Sequence, residues 1–126
     1  MEQPGGSQVL APALEAHTDL RRHHVLIAVT GPLTTDDHAA ALTAACLPLP
    51  PTYGLLINLS AVTELTEAGI EGLRRLATSA KTDGHLIAFV CSDSVLRAGL
   101  LLAELDEIAP VLRADEEAVP LVGYAA

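Results

Sequence analysis

Apolar residues along the chain form two alternating patterns, short continuous runs and longer segments in which they recur every three or four residues. The runs cover residues 25–29, 55–59, which Asn58 interrupts once, and 86–90, and glycine, proline or polar residues lie close to their ends. Apolar runs of this length are typical of strands buried on both faces of a parallel sheet. The sequence therefore predicts three central strands.

The pattern changes to a helical period after the second run. Residues 67–82 carry apolar side chains on one face and charged side chains between them, which predicts an amphipathic helix. Residues 62–69 are predicted to form a turn leading into this helix, with Thr66 as its N-cap. Free backbone N–H groups and the helix dipole favour negative charge there, so this turn is the first candidate for a functional site. The apolar positions of the helix are Ile70, Leu73, Leu76, Ala77 and Ala80.

The remaining segments complete an alternation of strands and helices. This order predicts an α/β fold in a single domain over residues 9–124, with a four- to five-stranded, mostly parallel sheet, an antiparallel edge and about four helices. The other predicted elements are a disordered tail over 1–8, an edge strand over 9–17, helices over 37–46 and 95–105, a strand over 108–112 and a final helix over 116–123.

Composition and charge narrow the classes of partner. The net charge of −9 disfavours binding to nucleic acid and to anionic membrane surfaces, and it attracts basic protein partners. No apolar stretch approaches the roughly 20 residues that span a bilayer, and the N-terminus lacks the plan of a signal peptide. We therefore expect a cytoplasmic protein without membrane insertion and without direct nucleic-acid contact.

Candidate catalytic chemistry is sparse. The five histidines have no metal-ligand spacing to Cys, Asp or Glu, and no glycine-rich phosphate loop with its lysine is present. Cys46 and Cys91 lie beside apolar residues, as buried reduced thiols do. We expect no catalytic residues, no metal and no cofactor, and hence no enzyme.

The element order and several motifs resemble the STAS domain, the fold of bacterial anti-sigma factor antagonists. A hydrophobic strand ends in Asn-Leu-Ser-x-Val-Thr over residues 58–63, and a four-residue turn ending in Gly69 precedes the amphipathic helix. Gly31-Pro32-Leu33 stands where the family has Gly-Glu-Leu-Asp, and residues 94–108 and 111–119 are similar to its last helices and strand. The resemblance covers residues 9–122.

The family signature in the turn is Asp-Ser-Ser-Gly, whose first serine is phosphorylated by a partner kinase. This chain has the phosphosite-equivalent residues Thr66, Glu67 and Ala68 before Gly69, so only the glycine matches. Glu67 is either a carboxylate stabilised by the helix dipole or a permanent stand-in for phosphoserine, with roughly half to two-thirds of its charge. Thr66 is either a plain helix cap or a displaced phosphoacceptor.

The resemblance implies a non-catalytic anti-sigma factor antagonist that binds an anti-sigma factor, or a related ATP-binding regulatory kinase, in a partner-switching pathway. One alternative is an accessory STAS subunit that binds the ATPase of a lipid-transporting ABC complex. Others are a scaffold subunit of a stress-signalling assembly and a homodimer formed through residues 100–102. The expected partner-binding residues are Thr34, Asp36, Glu64, Thr66, Glu67, Gly69, Ile70 and Glu71.

Overall fold

The computed structural model describes residues 5–11, 13–21, 23–47, 49–50, 53–115, 117 and 120. The six strands found among these residues belong to one sheet in the order in which they occur along the chain. Strands β1, β2 and β3 pair antiparallel, and β3 to β6 pair in parallel. The α/β prediction is confirmed, with six strands where four to five were predicted. The elements are β1 (Gly5–Ala11), β2 (Leu14–Leu20), β3 (His24–Leu33), α1 (Asp36–Cys46), β4 (Gly54–Leu65), α2 (Glu67–Thr82), β5 (Ile87–Val90), α3 (Ser94–Leu102), a 3₁₀ turn (Leu105–Glu107) and β6 (Val111–Leu112).

The N-terminal edge differs from the prediction. Residues 5–8, predicted as part of a disordered tail, belong to β1, and the predicted edge strand over 9–17 is split by a turn in which Ala13 has a φ of 67°. Pairing with β2 orders this segment, and a composition of Gly, Ser and Gln does not reveal such non-local pairing. The predicted final helix over 116–123 lies outside the described residues apart from 117 and 120.

Side chains of the parallel strands alternate between the two faces of the sheet. Leu55, Ile57 and Leu59 of β4 join the main core, whereas Leu56 belongs to a smaller separate cluster with Ala88 and Val90. Because parallel strands in sequential order are joined by right-handed crossovers, the three crossover helices lie on the same face of the sheet. That face carries the main core.

Helix α2 has the predicted bounds and the predicted inward face. Leu73 and Leu76 are 1% exposed, Ala77 and Ala80 are fully buried, and Ile70 is half-buried against the core. The predicted turn over residues 62–69 is wrong for its first half. Residues 62–65 continue β4, because the long strand β3 pairs with them up to Leu33 and Leu65.

Helices α1 and α2 pack unusually closely. A Cβ atom placed on Gly72 would lie 2.1 Å from the Cβ atom of Ala39. The small side chains of the Ala-rich helix α1 therefore allow the two backbones to approach. Helix α1 begins after Thr35, whose Oγ1 accepts a 3.0 Å hydrogen bond from the His38 N–H.

Both cysteines are free and buried, as predicted. Burial raises the pKa of the Cys46 thiol to about 12, and it also raises the pKa of the Cys91 thiol. Both groups therefore remain protonated at neutral pH, and a protonated thiol is a poor nucleophile. Their burial assigns the two cysteines to the core.

Candidate partner-binding site

The predicted site lies at the carboxyl edge of β3 and β4, where α2 begins. Thr66 is the single residue between the end of β4 at Leu65 and the start of α2 at Glu67. Carboxyl ends of neighbouring parallel strands meet at one edge of a sheet, so the segment after Leu33 lies beside this junction. Residues far apart in sequence are thereby brought to one surface.

Thr66 occupies the N-cap position of α2 but does not make the predicted capping bond. Its backbone is extended, with φ −114° and ψ 176°, and its side chain accepts no hydrogen bond from the first turn. Its Oγ1 donates instead to the Thr34 carbonyl oxygen at 2.9 Å, and its N–H donates to the Leu33 carbonyl oxygen at 3.4 Å. The hydroxyl ties α2 to the end of β3, a contact across 32 residues of sequence that local pattern does not reveal.

Gly69 is required by a close approach of α2 to the same strand end. A Cβ atom at this position would lie 2.0 Å from the Leu33 carbonyl oxygen and 3.1 Å from Cδ1 of Leu65. The one residue that matches the family signature is therefore explained by packing, independently of any phosphorylation.

Thr34 connects the beginnings of α1 and α2 through its backbone. Its N–H donates to His38 Nδ1 at 3.2 Å, while its carbonyl oxygen accepts the bond from Thr66. Thr34 is half-buried, and His38 is 8% exposed. These bonds hold the two helix N-termini in a fixed relation.

An open groove next to this junction contains three of the four predicted acidic residues, Asp36, Glu67 and Glu71. Glu71 Oε2 lies 3.3 Å from Arg74 Nε, and Asp36 Oδ1 lies 3.9 Å from Arg75 Nη2. Ion pairs at the surface, such as these two, contribute little to stability. Glu67 is exposed and has no ion pair or hydrogen bond to any residue in the described part of the chain. Glu67 therefore offers the groove an unpaired carboxylate. The groove is lined by Asp36, Glu67, Ala68, Ile70, Glu71, Arg74, Arg75 and Ala103.

The structure separates the remaining predicted residues from the groove lining. Glu64 is exposed on β4, opposite Pro32 of β3, and it precedes the junction. Thr34 and Thr66 are joined by a hydrogen bond and Gly69 lies against the end of β3, and we call these three residues the junction.

Three residues that line the groove were not predicted from the sequence. Arg74 and Arg75 come from the outer side of α2, and Ala103 comes from the end of α3. The Arg74 guanidinium donates to the Ala103 carbonyl oxygen, which joins the two helices. The spacing of Glu71 and Arg74 signals an ion pair along a helix, but the contact with α3 depends on tertiary structure.

A second polar cluster at the same edge accounts for the Asn and Ser of the strand motif. Asn58 Nδ2 donates to Asp115 Oδ1 at 2.9 Å, and Asn58 Oδ1 accepts from the Ser60 N–H at 2.8 Å. Ser60 Oγ in turn accepts from the Ser92 N–H at 2.9 Å. These bonds hold the middle of β4 to the segments that follow β5 and β6, a structural role that sequence reasoning missed.

Metal-ligand clusters and membrane-spanning helices are both absent from the described residues. Among them, no three or more His, Cys, Asp or Glu side chains are placed to hold a metal ion. Within the same residues, no helix combines the length and apolarity needed to cross a bilayer.

Three substitutions of Thr66 are expected to differ in stability according to whether they keep the hydrogen bond to Thr34. Thr66→Val removes the donor to Thr34 and is expected to lower the free energy of unfolding by about 0.5–1.5 kcal/mol, whereas Thr66→Ser keeps the donor. Thr66→Asp supplies a strong N-cap but cannot donate a hydrogen bond to the Thr34 carbonyl oxygen. We therefore expect Thr66→Asp to be less stable than wild type. Urea denaturation of the three variants measures this. A Thr66→Asp protein as stable as wild type would show that capping is the dominant role.

Known structures share this architecture. An anti-sigma factor antagonist from Mycobacterium paratuberculosis matches with a TM-score of 0.69 at 22% identity, over 91% of this chain and 99% of that chain. The STAS domain of a SulP transporter from Vibrio cholerae matches with a TM-score of 0.60 at 19% identity, over 79% of this chain and 80% of that chain. The anti-sigma factor antagonist SpoIIAA in its unphosphorylated form matches with a TM-score of 0.54 at 12% identity, over 83% of this chain and 94% of that chain.

The chain therefore has the fold of STAS domains and anti-sigma factor antagonists, which confirms the fold implied by the resemblance. No protein-family profile and no curated protein sequence matches it. Since a regulator and a transporter domain share this fold, function has to be argued from the site.

Proposed function

We propose that this protein is a non-catalytic, cytoplasmic regulator of the anti-sigma factor antagonist type, which binds an anti-sigma factor or a related ATP-binding regulatory kinase. The observation that carries the proposal is Glu67, an exposed and unpaired carboxylate at the position of the phosphoserine in the STAS signature. The groove beside α2 is the proposed contact surface.

Two features suit this surface to protein recognition. The junction of Thr34, Thr66 and Gly69 fixes the start of α2 on β3, so the groove is presented on a rigid backbone. Ile70 adds an apolar side chain to the groove lining, which also contains Glu67 and Glu71, and protein interfaces typically combine an apolar centre with a polar border.

In this proposal Glu67 keeps a negative charge permanently at the position where the family adds a phosphate to switch partners. In the family, phosphorylation of the serine releases the partner, and a carboxylate carries part of the phosphate charge permanently. Binding to a kinase-type partner that prefers the unphosphorylated form is then weakened in part, and phosphorylation at position 67 is absent. A partner with a basic side chain opposite Glu67 is favoured instead.

Substitution of Glu67 tests the proposal. Glu67→Ser is expected to bind the cognate kinase-type anti-sigma factor more tightly and to accept label from radioactive ATP. Glu67→Gln removes the charge without creating an acceptor, so it is expected to tighten binding and to remain unlabelled. Asp83→Asn, an exposed acid at the other end of α2, is the matched control and is expected to bind as wild type does. Calorimetry gives the affinities.

Several outcomes of this experiment contradict the proposal or part of it. Equal affinities for wild type, Glu67→Ser and Glu67→Gln would show that Glu67 does not imitate a phosphate. Label on wild type that disappears in Thr66→Ala would show that the phosphoacceptor has moved to Thr66. Capture of a transporter ATPase in place of a regulatory kinase would favour the accessory-subunit alternative.

A further inference from the structure

Helix α3 has apolar side chains on two opposite faces. Its inward face carries Leu100, which is fully buried, and Leu96, which packs partly against the core. On the other side Val95 is 78% exposed and Leu102 is 85% exposed. A helix that only covers a core needs one apolar stripe, so the second face lacks a structural explanation.

The exposed apolar residues form one continuous surface, which we call the outward α3 face. At 100° per residue, Val95, Ala98, Leu101 and Leu102 lie within an arc of about 120°. All four are exposed, and no charged residue falls among them. Gly99 borders the arc, and a Cβ atom placed on it would lie in open space.

Acidic residues border the outward α3 face at its C-terminal end. Glu104, Asp106 and Glu107 are exposed, and none of them forms an ion pair within the described part of the chain. Negative charge at the C-terminus of a helix opposes the helix dipole, so these residues do not stabilise α3. Glu104 also has a left-handed backbone with a φ of 61°, which is unfavourable for a residue other than glycine.

The cations that contact α3 and the turn after it already donate to backbone carbonyl oxygens, and Lys81 Nζ does so to Ile108 at 2.9 Å. Arg97 Nη1 donates to the Cys91 carbonyl oxygen at 3.0 Å, and Arg74 donates to the Ala103 carbonyl oxygen. The surface is therefore apolar along the helix and acidic at one end.

This combination argues against two other occupants. A second copy would bring an identical acidic end and a net charge of −9 to the interface. The face of a nine-residue helix, about 14 Å long, also falls short of the roughly 800 Å² per partner that stable dimers bury. An anionic membrane would repel the acidic border.

We propose that the outward α3 face binds a protein segment of complementary chemistry, an amphipathic helix whose apolar stripe is flanked by Lys or Arg. The apolar stripe would cover Val95 and Leu102, and the basic flank would pair with the acidic residues after α3. This second docking surface goes beyond the proposed function, because it does not use Glu67 and faces away from the core on a different helix.

Two synthetic helical peptides with the same leucine stripe, one with lysine flanks and one with glutamate flanks, test this proposal. Titration into ¹⁵N-labelled full-length protein is expected to shift the backbone amides of α3 and of Leu105–Glu107 with the lysine peptide. The glutamate peptide is expected to bind at least about tenfold more weakly.

Variants locate the contact. Val95→Ser and Leu102→Ser are each expected to lower the affinity for the lysine peptide by about tenfold or more, because each removes an apolar side chain from the interface. Leu86→Ser is the matched control, since Leu86 is another exposed leucine at 46% and lies outside α3. Glu67→Ser is expected to leave peptide binding unchanged, which separates this surface from the groove. Unchanged far-UV spectra and thermal midpoints check that each variant folds.

Specific results overturn the proposal. Equal binding of the two peptides, or full binding by Leu102→Ser, would show that the surface does not select this chemistry. A dimer in sedimentation velocity that Leu102→Ser abolishes would assign the face to a second copy. Binding to phosphatidylglycerol vesicles that Leu102→Ser abolishes would assign it to a lipid surface.

Discussion

Replacing Leu73 with Ala is expected to lower the free energy of unfolding by about 2–5 kcal/mol. Leu73 is 1% exposed and belongs to the main core, where α2 covers the sheet. The loss combines the transfer energy of the deleted methyl and methylene groups with the cavity that a packed interior does not refill. Urea denaturation monitored by circular dichroism measures the change.

Leu102→Ala is the matched control for this measurement. It makes the same chemical change on a neighbouring helix at a residue that is 85% exposed, and is expected to alter stability by no more than about 0.5 kcal/mol. Similar losses for the two variants would contradict the assignment of Leu73 to the core and Leu102 to the surface.

Hydrophobic period was sufficient to predict the central elements. Residues 67–82 form α2 as predicted, because five apolar positions at helical spacing define one buried face independently of tertiary detail. The predicted strands at 25–29 and 55–59 lie within β3 and β4 for a similar reason.

Prediction failed where order comes from pairing with a distant strand. Strand β1 contains Gly, Ser and Gln and is ordered by β2, and residues 62–65 extend β4 because β3 lies alongside them. The backbone hydrogen bonds that decide both cases leave little trace in local composition.

The candidate site shows the same division. Asp36, Glu67, Ile70 and Glu71 were expected together because strand-end loops converge at one edge of a parallel sheet, and the groove contains all four. The bond from Thr66 to Thr34 was missed, since capping rules consider only the local backbone. Whether these residues bind a partner stays a prediction.

Gly69→Ala is expected to destabilise the protein by about 1–3 kcal/mol even though alanine is the better helix former. The new methyl group would lie 2.0 Å from the Leu33 carbonyl oxygen, so either the first turn of α2 or the end of β3 has to move. Because backbone rather than a flexible side chain blocks the position, relaxation is expected to stretch the bond between Thr66 and Thr34. The groove would lose its fixed geometry along with stability.

The same substitution on α3 is the control for this prediction. Gly99→Ala introduces a methyl group into open space, and it is expected to stabilise the protein by about 0.5–1 kcal/mol. Chemical denaturation gives both values, and hydrogen exchange of the Ile70 N–H, which donates to the Thr66 carbonyl oxygen at 2.9 Å, reports on the first turn of α2. Faster exchange at Ile70 in Gly69→Ala than in Gly99→Ala is expected. Equal stability of the two variants would mean that contact with Leu33 does not determine the glycine in the signature, and its presence would then have to be explained by partner binding.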